Sequence, residues 1–172
     1  MLKLLTKRLI LIPFTIEICE TILKSDFKNL DSLKLNRALG WPDAEVLETL
    51  PKIIDNLSRV EKPTGFESWM IIKKENYEII GDLGFKGFNP QDNNIDLGYG
   101  IIEEEQKKGY ALEATNELIA WAFLNPIVKE ITARCLLENE ASIHLLKKLN
   151  FKIIKQDKEM IYWCLPKVSF NY

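Results

Sequence analysis

EEEQKKGYALEATNELIAWAF, residues 103–123, joins a charged run to an amphipathic helix through a single glycine, Gly109. Apolar residues of the predicted helix share one face, at Ala111, Ala114, Leu118 and Ala122. A helix start has unpaired backbone N–H groups and the positive end of the helix dipole, so it binds anions. Glycine lets the backbone approach a phosphate closely. The segment favours a diphosphate site, although a strand-to-helix turn with solvated lysines is the simpler alternative.

Composition limits the class of protein. The chain has 172 residues, of which 47% are apolar and 28% charged, as in globular proteins with a substantial core. A net charge of -2 argues against nucleic acid as the main partner. No apolar run approaches the ~20 residues of a membrane-spanning helix. We therefore predict a single domain over residues 1–172, cytoplasmic, monomeric or homodimeric, with neither nucleic acid nor membrane as partner.

Cysteine and histidine are sparse. Cys19, Cys135 and Cys164 are odd in number and lie among apolar neighbours, which indicates buried free thiols in a reducing compartment. His144 is the one histidine, and the sequence has no Cys-x-x-Cys pair. We predict no metal site.

Hydrophobic periodicity predicts an α+β chain. A strand over 8–13 precedes a helix from Ile16 to about Lys24, which Thr15 can cap. A second helical region begins at Pro42 and Asp43 and ends near Val60. Pro51 lies inside that region, so we expect a kink or two short helices.

The second half of the chain alternates strands and helices. Strands over 68–73, 78–88 and 95–102 form an antiparallel meander. The helix of the opening segment follows, and then a strand over 131–136. A helix from about Asn139 to Leu149 leads into a closing hairpin.

Several segments resemble one family of enzymes. QKKGYA, residues 106–111, satisfies the pattern [QR]-x-x-G-x-[GA] and resembles the acetyl-CoA pyrophosphate loop of the GNAT superfamily of N-acetyltransferases. ENEASIHLLKKLNF, residues 138–151, resembles the second signature of that superfamily, with Asn150 where glycine is usual. TKRLILIPF at 6–14 and DLGYGI at 96–101 resemble the branch that includes ribosomal-protein N-terminal (alanine) acetyltransferases. Asparagine tolerates the left-handed conformation that a helix end often needs.

The resemblance implies a GNAT fold of α+β class, with a mixed, mostly antiparallel central sheet of about seven strands and helices on both faces. It implies acetyl-CoA as cosubstrate and no metal. It also implies that the strand before the loop splays from its parallel neighbour, so that pantetheine fills the gap. The implied cofactor-binding residues are Gly100, Ile101, Ile102, Gln106, Lys107, Lys108, Gly109, Tyr110, Ala111 and Asn139.

The implied reaction is transfer of an acetyl group to a primary amine, either a peptide N-terminus or a small-molecule amine. Many members of the superfamily have a proton-donating tyrosine where this chain has Leu146, and we predict Ser142 as the catalytic donor instead. Alternatively, Ser142 has no catalytic role and is simply a residue of the first turn of its helix. Asp96 is the predicted base or water-positioning residue, with Asp82 and Glu103 as weaker candidates, and each is otherwise a surface carboxylate.

Two further questions stay open: whether the chain is catalytic, and which amine it acetylates. The missing tyrosine is compatible with an acetyl-CoA-binding module or sensor that has lost catalysis. For an active enzyme, a peptide α-amine with a pKa near ~8 needs only a weak base, whereas a lysine ε-amine near ~10.4 needs a stronger one. We therefore expect α-amines, or small amines of similarly low pKa, to be acetylated before lysine side chains.

Overall fold

The computed structural model describes residues 2–89, 91 and 93–170. Within these ranges the strands are β1 Leu4–Leu5, β2 Leu9–Pro13, β3 Asn36–Arg37, β4 Ser68–Lys73, β5 Glu78–Asn89, β6 Asn94–Ile101, β7 Glu130–Leu136, β8 Lys152–Gln156 and β9 Met160–Pro166. The α-helices are α1 Ile16–Leu23, α2 Lys28–Ser32, α3 Ala44–Leu57, α4 Tyr110–Leu124 and α5 Glu140–Lys148. Short 3-10 turns cover Glu103–Glu105 and Lys167–Ser169.

All strands of the described ranges belong to one sheet, in the order β1-β2-β4-β5-β6-β7-β9-β8, with β3 paired to β5. Only the β6–β7 and β3–β5 pairs are parallel among them. This confirms the mixed, mostly antiparallel sheet. The strands beyond the predicted number include β1 and β3, which have two residues each and are too short to show a periodic pattern.

Helices cover both faces of the sheet, as predicted. Trp69 of β4 packs against Trp121 of α4 with ring centroids 5.5 Å apart, and Leu83 of β5 is its register partner. Asp82 therefore points to the opposite face, because successive strand residues alternate. On that face burial raises the pKa of the Cys19 thiol in α1, and the charge of Asp82 adds to the rise. Helix α3 packs against α1 and β5.

The sheet opens beside β6. The parallel ladder joins Asn94–Leu97 only to Glu130–Ala133. Beyond that point β7 stays paired with β9 as far as Leu136, while residues 98–101 of β6 remain paired only with β5. The two strands therefore diverge after Leu97 and leave a gap along the end of β6.

Helix boundaries follow the sequence closely, with one correction. Thr15 caps α1 by accepting a hydrogen bond from the Ile18 N–H, and Asn150 has φ 65 after α5. Of the two outcomes expected at Pro51, the division into two short helices is wrong, because α3 is a single helix through that residue. Its apolar stripe is buried on both sides of the proline, which offsets the lost backbone hydrogen bond; the stripe consists of Val46, Leu50, Ile53 and Leu57.

Candidate active site

The loop before α4 has the backbone of an anion cradle. Gly109, at the start of the helix, has φ 82, a left-handed conformation that glycine adopts at no steric cost. Lys107 is also left-handed, with φ 61. A Cβ built on Gly109 would lie 3.4 Å from Nη2 of Arg8, an ordinary contact distance. The left-handed backbone therefore favours glycine where the sequence has it.

Arg8, just before β2, holds this loop from the other end of the chain. Its Nη1 donates to the Lys108 carbonyl oxygen at 2.9 Å, and its guanidinium lies 4.4 Å from the centroid of the Tyr110 ring. Its Nε lies 2.6 Å from Oε2 of Glu113 in α4. Burial works against the ionised Glu113, but hydrogen bonds from Thr6 and Arg8 lower its pKa below the ordinary value. Sequence reasoning missed this role, because Arg8 shows only as the polar start of a strand.

The two loop lysines differ. Lys108 Nζ lies 2.9 Å from Oε2 of Glu105, and the other oxygen of that carboxylate lies 2.9 Å from the buried Lys73. Burial opposes ionisation of Glu105, yet the two lysines hold its pKa below the ordinary value. Lys108 is therefore ion-paired rather than freely solvated. Lys107, in contrast, lines the cleft beside the loop.

A cleft of about 550 Å³ lies between this loop, the open end of β6 and the start of α5. The structure brings most of the predicted residues to it: Gly100, Ile101, Gln106, Lys107, Gly109, Tyr110, Ala111, Asn139 and Ser142. Ile102 and Lys108 are not among its lining residues. Asn139 caps α5, since its Oδ1 accepts a hydrogen bond of 3.0 Å from the Ser142 N–H. We call this space the cofactor cleft.

Backbone N–H groups at the end of β6 point into the gap. The Ile102 N–H is not one of them, because it already donates to the Ile80 carbonyl oxygen at 3.0 Å. Antiparallel pairing alternates, and Gly100 lies opposite Asp82, so the Gly100 N–H also turns toward β5. The same alternation turns the Ile101 N–H toward the gap, while the Ile101 carbonyl oxygen accepts a hydrogen bond from Nε2 of Gln106.

A second cleft of about 600 Å³ lies between α3 and the face of β5 and β6. Gly98 and Gly100 form part of its floor, and a Cβ built on Gly98 would meet no atom within 4 Å. Tyr99, Gly100 and Ile101 line this cleft as well as the cofactor cleft. The two spaces therefore meet at the end of β6. We call the second one the acceptor cleft.

Asp82 is the carboxylate that lies at this meeting point. A Cβ built on Gly100 would be 3.9 Å from its Oδ1. Asp82 is partly open to the acceptor cleft and enclosed by protein on its other sides. Burial raises its pKa to about 7, and the carboxylates of Asp43 and Glu45 at the start of α3 add to the rise. A carboxylate with a pKa near neutrality in a cleft is typical of a general base.

Asp96, the base predicted from the sequence, lies elsewhere. It forms an ion pair with Lys86 and accepts a hydrogen bond of 3.2 Å from Thr132 Oγ1. It lines neither cleft. Glu103 is exposed in the 3-10 turn. The sequence contained a signal for Asp82, an acidic residue between Gly81 and Gly84, but its burial and the two acidic neighbours come from distant parts of the chain.

Leu146, at the position of the missing tyrosine, is 1% exposed and belongs to the hydrophobic core.

No group of three or more His, Cys, Asp or Glu side chains within the described ranges is arranged to hold a metal ion. In residues 2–89, 91 and 93–170 no helix has both the length and the apolar character needed to cross a membrane.

A splayed parallel pair next to a glycine cradle at a helix start defines a class, the acetyl-CoA-dependent acetyltransferases. The family model described as an acetyltransferase (GNAT) domain matches residues 8–152. The "Uncharacterized N-acetyltransferase YjdG" of Bacillus subtilis is 34% identical over 95% of this chain and 97% of its own. The "Uncharacterized N-acetyltransferase YoaA" of the same organism is 28% identical, over 86% and 81%. The chain belongs to the GNAT acetyltransferase family.

Solved structures agree on the fold. The ribosomal-protein-S5-alanine acetyltransferase of Vibrio fischeri superposes with a TM-score of 0.70 at 17% identity, over 100% of both chains. The ribosomal L7/L12 α-N-protein acetyltransferase RimL, solved with coenzyme A, superposes with a TM-score of 0.66 at 16% identity, over 95% of this chain and 97% of its own.

Proposed function

We propose that this chain transfers the acetyl group of acetyl-CoA to a primary amine held in the acceptor cleft. The observation that carries the proposal is the meeting of the two clefts at Tyr99, Gly100 and Ile101. Asp82 lies on the acceptor side of this junction and Ser142 on the cofactor side. A proton acceptor and a hydroxyl donor thus flank the place where the acyl group would change partners.

The cofactor cleft fits acetyl-CoA, which supplies the acetyl thioester when bound. The left-handed Gly109 and the first N–H groups of α4 suit a diphosphate, with Gln106, Lys107, Tyr110 and Ala111 around it. The Ile101 N–H, directed into the gap, suits the thioester oxygen, where negative charge develops. Because it belongs to the paired part of β6, this donor is held in place before reaction.

Asp82 is the proposed base. It accepts a proton from the amine as the N–C bond forms and the C–S bond breaks, with the bonding electrons leaving on sulfur. The Ser142 hydroxyl donates a hydrogen bond to that sulfur. Since the pKa of Asp82 is raised to about 7, about half of the molecules have the ionised carboxylate at neutral pH, and that carboxylate is more basic than an ordinary one.

Acidic side chains at the near end of the acceptor cleft favour a cationic amine. Asp43, Glu45 and Asp82 line this end, so a positively charged acceptor is attracted before it loses its proton. A base with a pKa near neutrality deprotonates an α-amine more readily than a lysine ε-amine. We therefore propose peptide N-termini, or small amines of similarly low pKa, as acceptors, and the cytoplasm as the compartment, which the three buried free cysteines favour.

An acceptor panel tests the proposal. Equimolar peptides with a free or a blocked N-terminus, each carrying one lysine, are incubated with acetyl-CoA alongside small amines, and CoA release and acetylation sites are measured. We expect acetylation of free N-termini or low-pKa amines first. Preferential acetylation of the lysine in the blocked peptide would overturn the acceptor class. Thermal stabilisation by CoA without CoA release from any amine would favour the alternative, a non-catalytic acetyl-CoA-binding module or sensor.

A further inference from the structure

The Tyr99 hydroxyl is buried and lacks a well-formed hydrogen bond. Its oxygen is inaccessible to solvent, and no group in the described ranges meets hydrogen-bond geometry with it. Native proteins satisfy nearly all buried polar groups, so each exception requires an explanation. A tyrosine ring could be buried at this position without the hydroxyl, as phenylalanine. The hydroxyl therefore points to a partner that completes its hydrogen bond during function.

Ser142 is the neighbouring group that can become this partner. Burial raises the pKa of Tyr99 to about 12, and the Ser142 side chain, close enough to act as a weak hydrogen-bond partner, opposes part of the rise. The two side chains come from β6 and α5 and line the same cofactor cleft. The backbone of Ser142 is held by Asn139, through the 3.0 Å bond to its N–H. The Ser142 side chain is therefore the part of this residue that can adjust.

The position of Tyr99 relates this pair to the reaction. Tyr99 follows the last residues of the parallel ladder and precedes Gly100, where the two clefts meet. The gap-facing Ile101 N–H lies on the same strand end. A phenol with a raised pKa keeps its proton across the working pH range, so it serves as a permanent hydrogen-bond donor rather than as an acid.

We propose that Tyr99 is a positioning residue for Ser142: when the cofactor cleft is filled, its hydroxyl donates to the Ser142 oxygen and directs the serine O–H toward the departing sulfur. This inference rests on the proposed function. It adds no proton to the reaction. The amine proton goes to Asp82, the electrons of the broken C–S bond stay on sulfur, and Tyr99 remains protonated.

A double-mutant cycle tests the coupling between Tyr99 and Ser142. We expect Tyr99→Phe to lower kcat about tenfold, the effect of one neutral hydrogen bond. It should leave the acetyl-CoA dissociation constant within about twofold of wild type, since positioning acts in the transition state. In the Ser142→Ala background it should have no further effect on kcat. Tyr162→Phe, which removes an exposed hydroxyl bonded to Asp157, is the matched control and should change nothing.

An equal loss of kcat in the Ser142→Ala background, or a loss confined to acetyl-CoA binding, overturns the inference. A second measurement, independent of turnover, distinguishes failure of the Tyr99 inference from failure of the proposed function. With [13Cζ]tyrosine labelling, the resonance of Tyr99 is identified by its absence in Tyr99→Phe. Adding CoA should shift it in wild type and not in Ser142→Ala. An unshifted resonance, or the same shift in both proteins, refutes the pairing even if no acceptor amine is ever found.

Discussion

The cofactor cleft and the acceptor cleft share a wall at β6 but are built in opposite ways. The cofactor side is centred on the contiguous segment from Gln106 to Ala111, whose backbone conformation provides the anion cradle, and β6 and α5 complete its walls. The acceptor side is formed by side chains from α3, β5 and β6, which are far apart in sequence. A site made of backbone shows in a short motif, whereas a site made of assembled side chains shows only after folding. Substitutions in the cofactor cleft and in the acceptor cleft should therefore have distinguishable effects.

The acceptor side depends most on one carboxylate. Asp82→Asn should lower kcat by about 10²–10⁴-fold, because the base is lost while acetyl-CoA binding is untouched. The acid limb of the wild-type pH–rate profile should fall near the raised pKa, at pH about 7, and disappear in the variant. Asp96→Asn is the matched control, since Asp96 is a strand carboxylate that lines neither cleft. A larger loss in Asp96→Asn than in Asp82→Asn would return the base to Asp96.

The same variant should change stability in a pH-dependent direction. A folded-state pKa above the unfolded value means that the folded chain binds the proton more tightly. Ionisation of Asp82 therefore costs stability as pH rises from the unfolded pKa, near ~3.9, through the folded one. Asp82→Asn should accordingly have a higher Tm than wild type above pH about 7, and the difference should vanish in acid. If the Tm of Asp82→Asn in that pH range equals or falls below that of wild type, Asp82 is not a destabilising buried charge.

The cofactor side depends most on backbone conformation. Gly109→Val should weaken acetyl-CoA binding at least about a hundredfold, because a β-branched residue resists φ 82 and its side chain meets Arg8. Isothermal titration measures the dissociation constant. Gly87→Val is the control for strain alone: Gly87 has φ 84, has no atom within 4 Å of an added Cβ and is absent from the cofactor cleft. Equal losses in the two variants would mean that the cradle is not at Gly109.

Variants of Arg8 test whether a residue outside the loop at 106–111 holds that loop in place. Arg8→Ala removes the bonds to the Lys108 carbonyl and to Glu113, and should weaken acetyl-CoA binding about tenfold. Arg8→Lys keeps the charge but loses the fork of donors, so it should restore little. Full rescue by lysine would show that charge, rather than geometry, accounts for the role of Arg8.

The acidic neighbours of Asp82 should tune the acceptor side without abolishing it. Asp43→Asn keeps a cap on α3, because asparagine caps about as well as aspartate. It removes one of the charges that raise the pKa of Asp82, so the acid limb of kcat should move to lower pH. Asp55 lines the same cleft, but its carboxylate is paired with Arg59. The acid limb of the pH–rate profile of Asp55→Asn should therefore stay in place. A shift to higher pH in Asp43→Asn contradicts the assignment of that limb to Asp82.

The smallest effects belong to the loop lysines. Lys107→Ala should raise the acetyl-CoA dissociation constant by about two- to fivefold, with the difference shrinking at high salt, since an exposed charge is screened. Lys108→Ala should change it by less than about twofold, because its amine is already paired with Glu105. The reverse ranking would show that Lys108 turns to the phosphates on binding.

Sequence reasoning succeeded where a local conformation needs particular residues. The capping Thr15, the left-handed Asn150 and the helix that begins after Gly109 were all readable for that reason. Pro51 does not divide α3 into two helices, because buried contacts on both sides keep the helix continuous. β1 and β3 were missed, since two residues show no periodicity.

The family and the position of the glycine cradle can be read from the amino-acid sequence, because each motif that indicates them spans only a few neighbouring residues. Folding establishes which carboxylate lies over Gly100, which backbone N–H groups of β6 face the gap, and that Arg8 holds the loop. These depend on strand register and on packing between elements distant in the chain. The pKa of Asp82 is a further case, since burial and the charges of Asp43 and Glu45 arise only when α3 lies on β5.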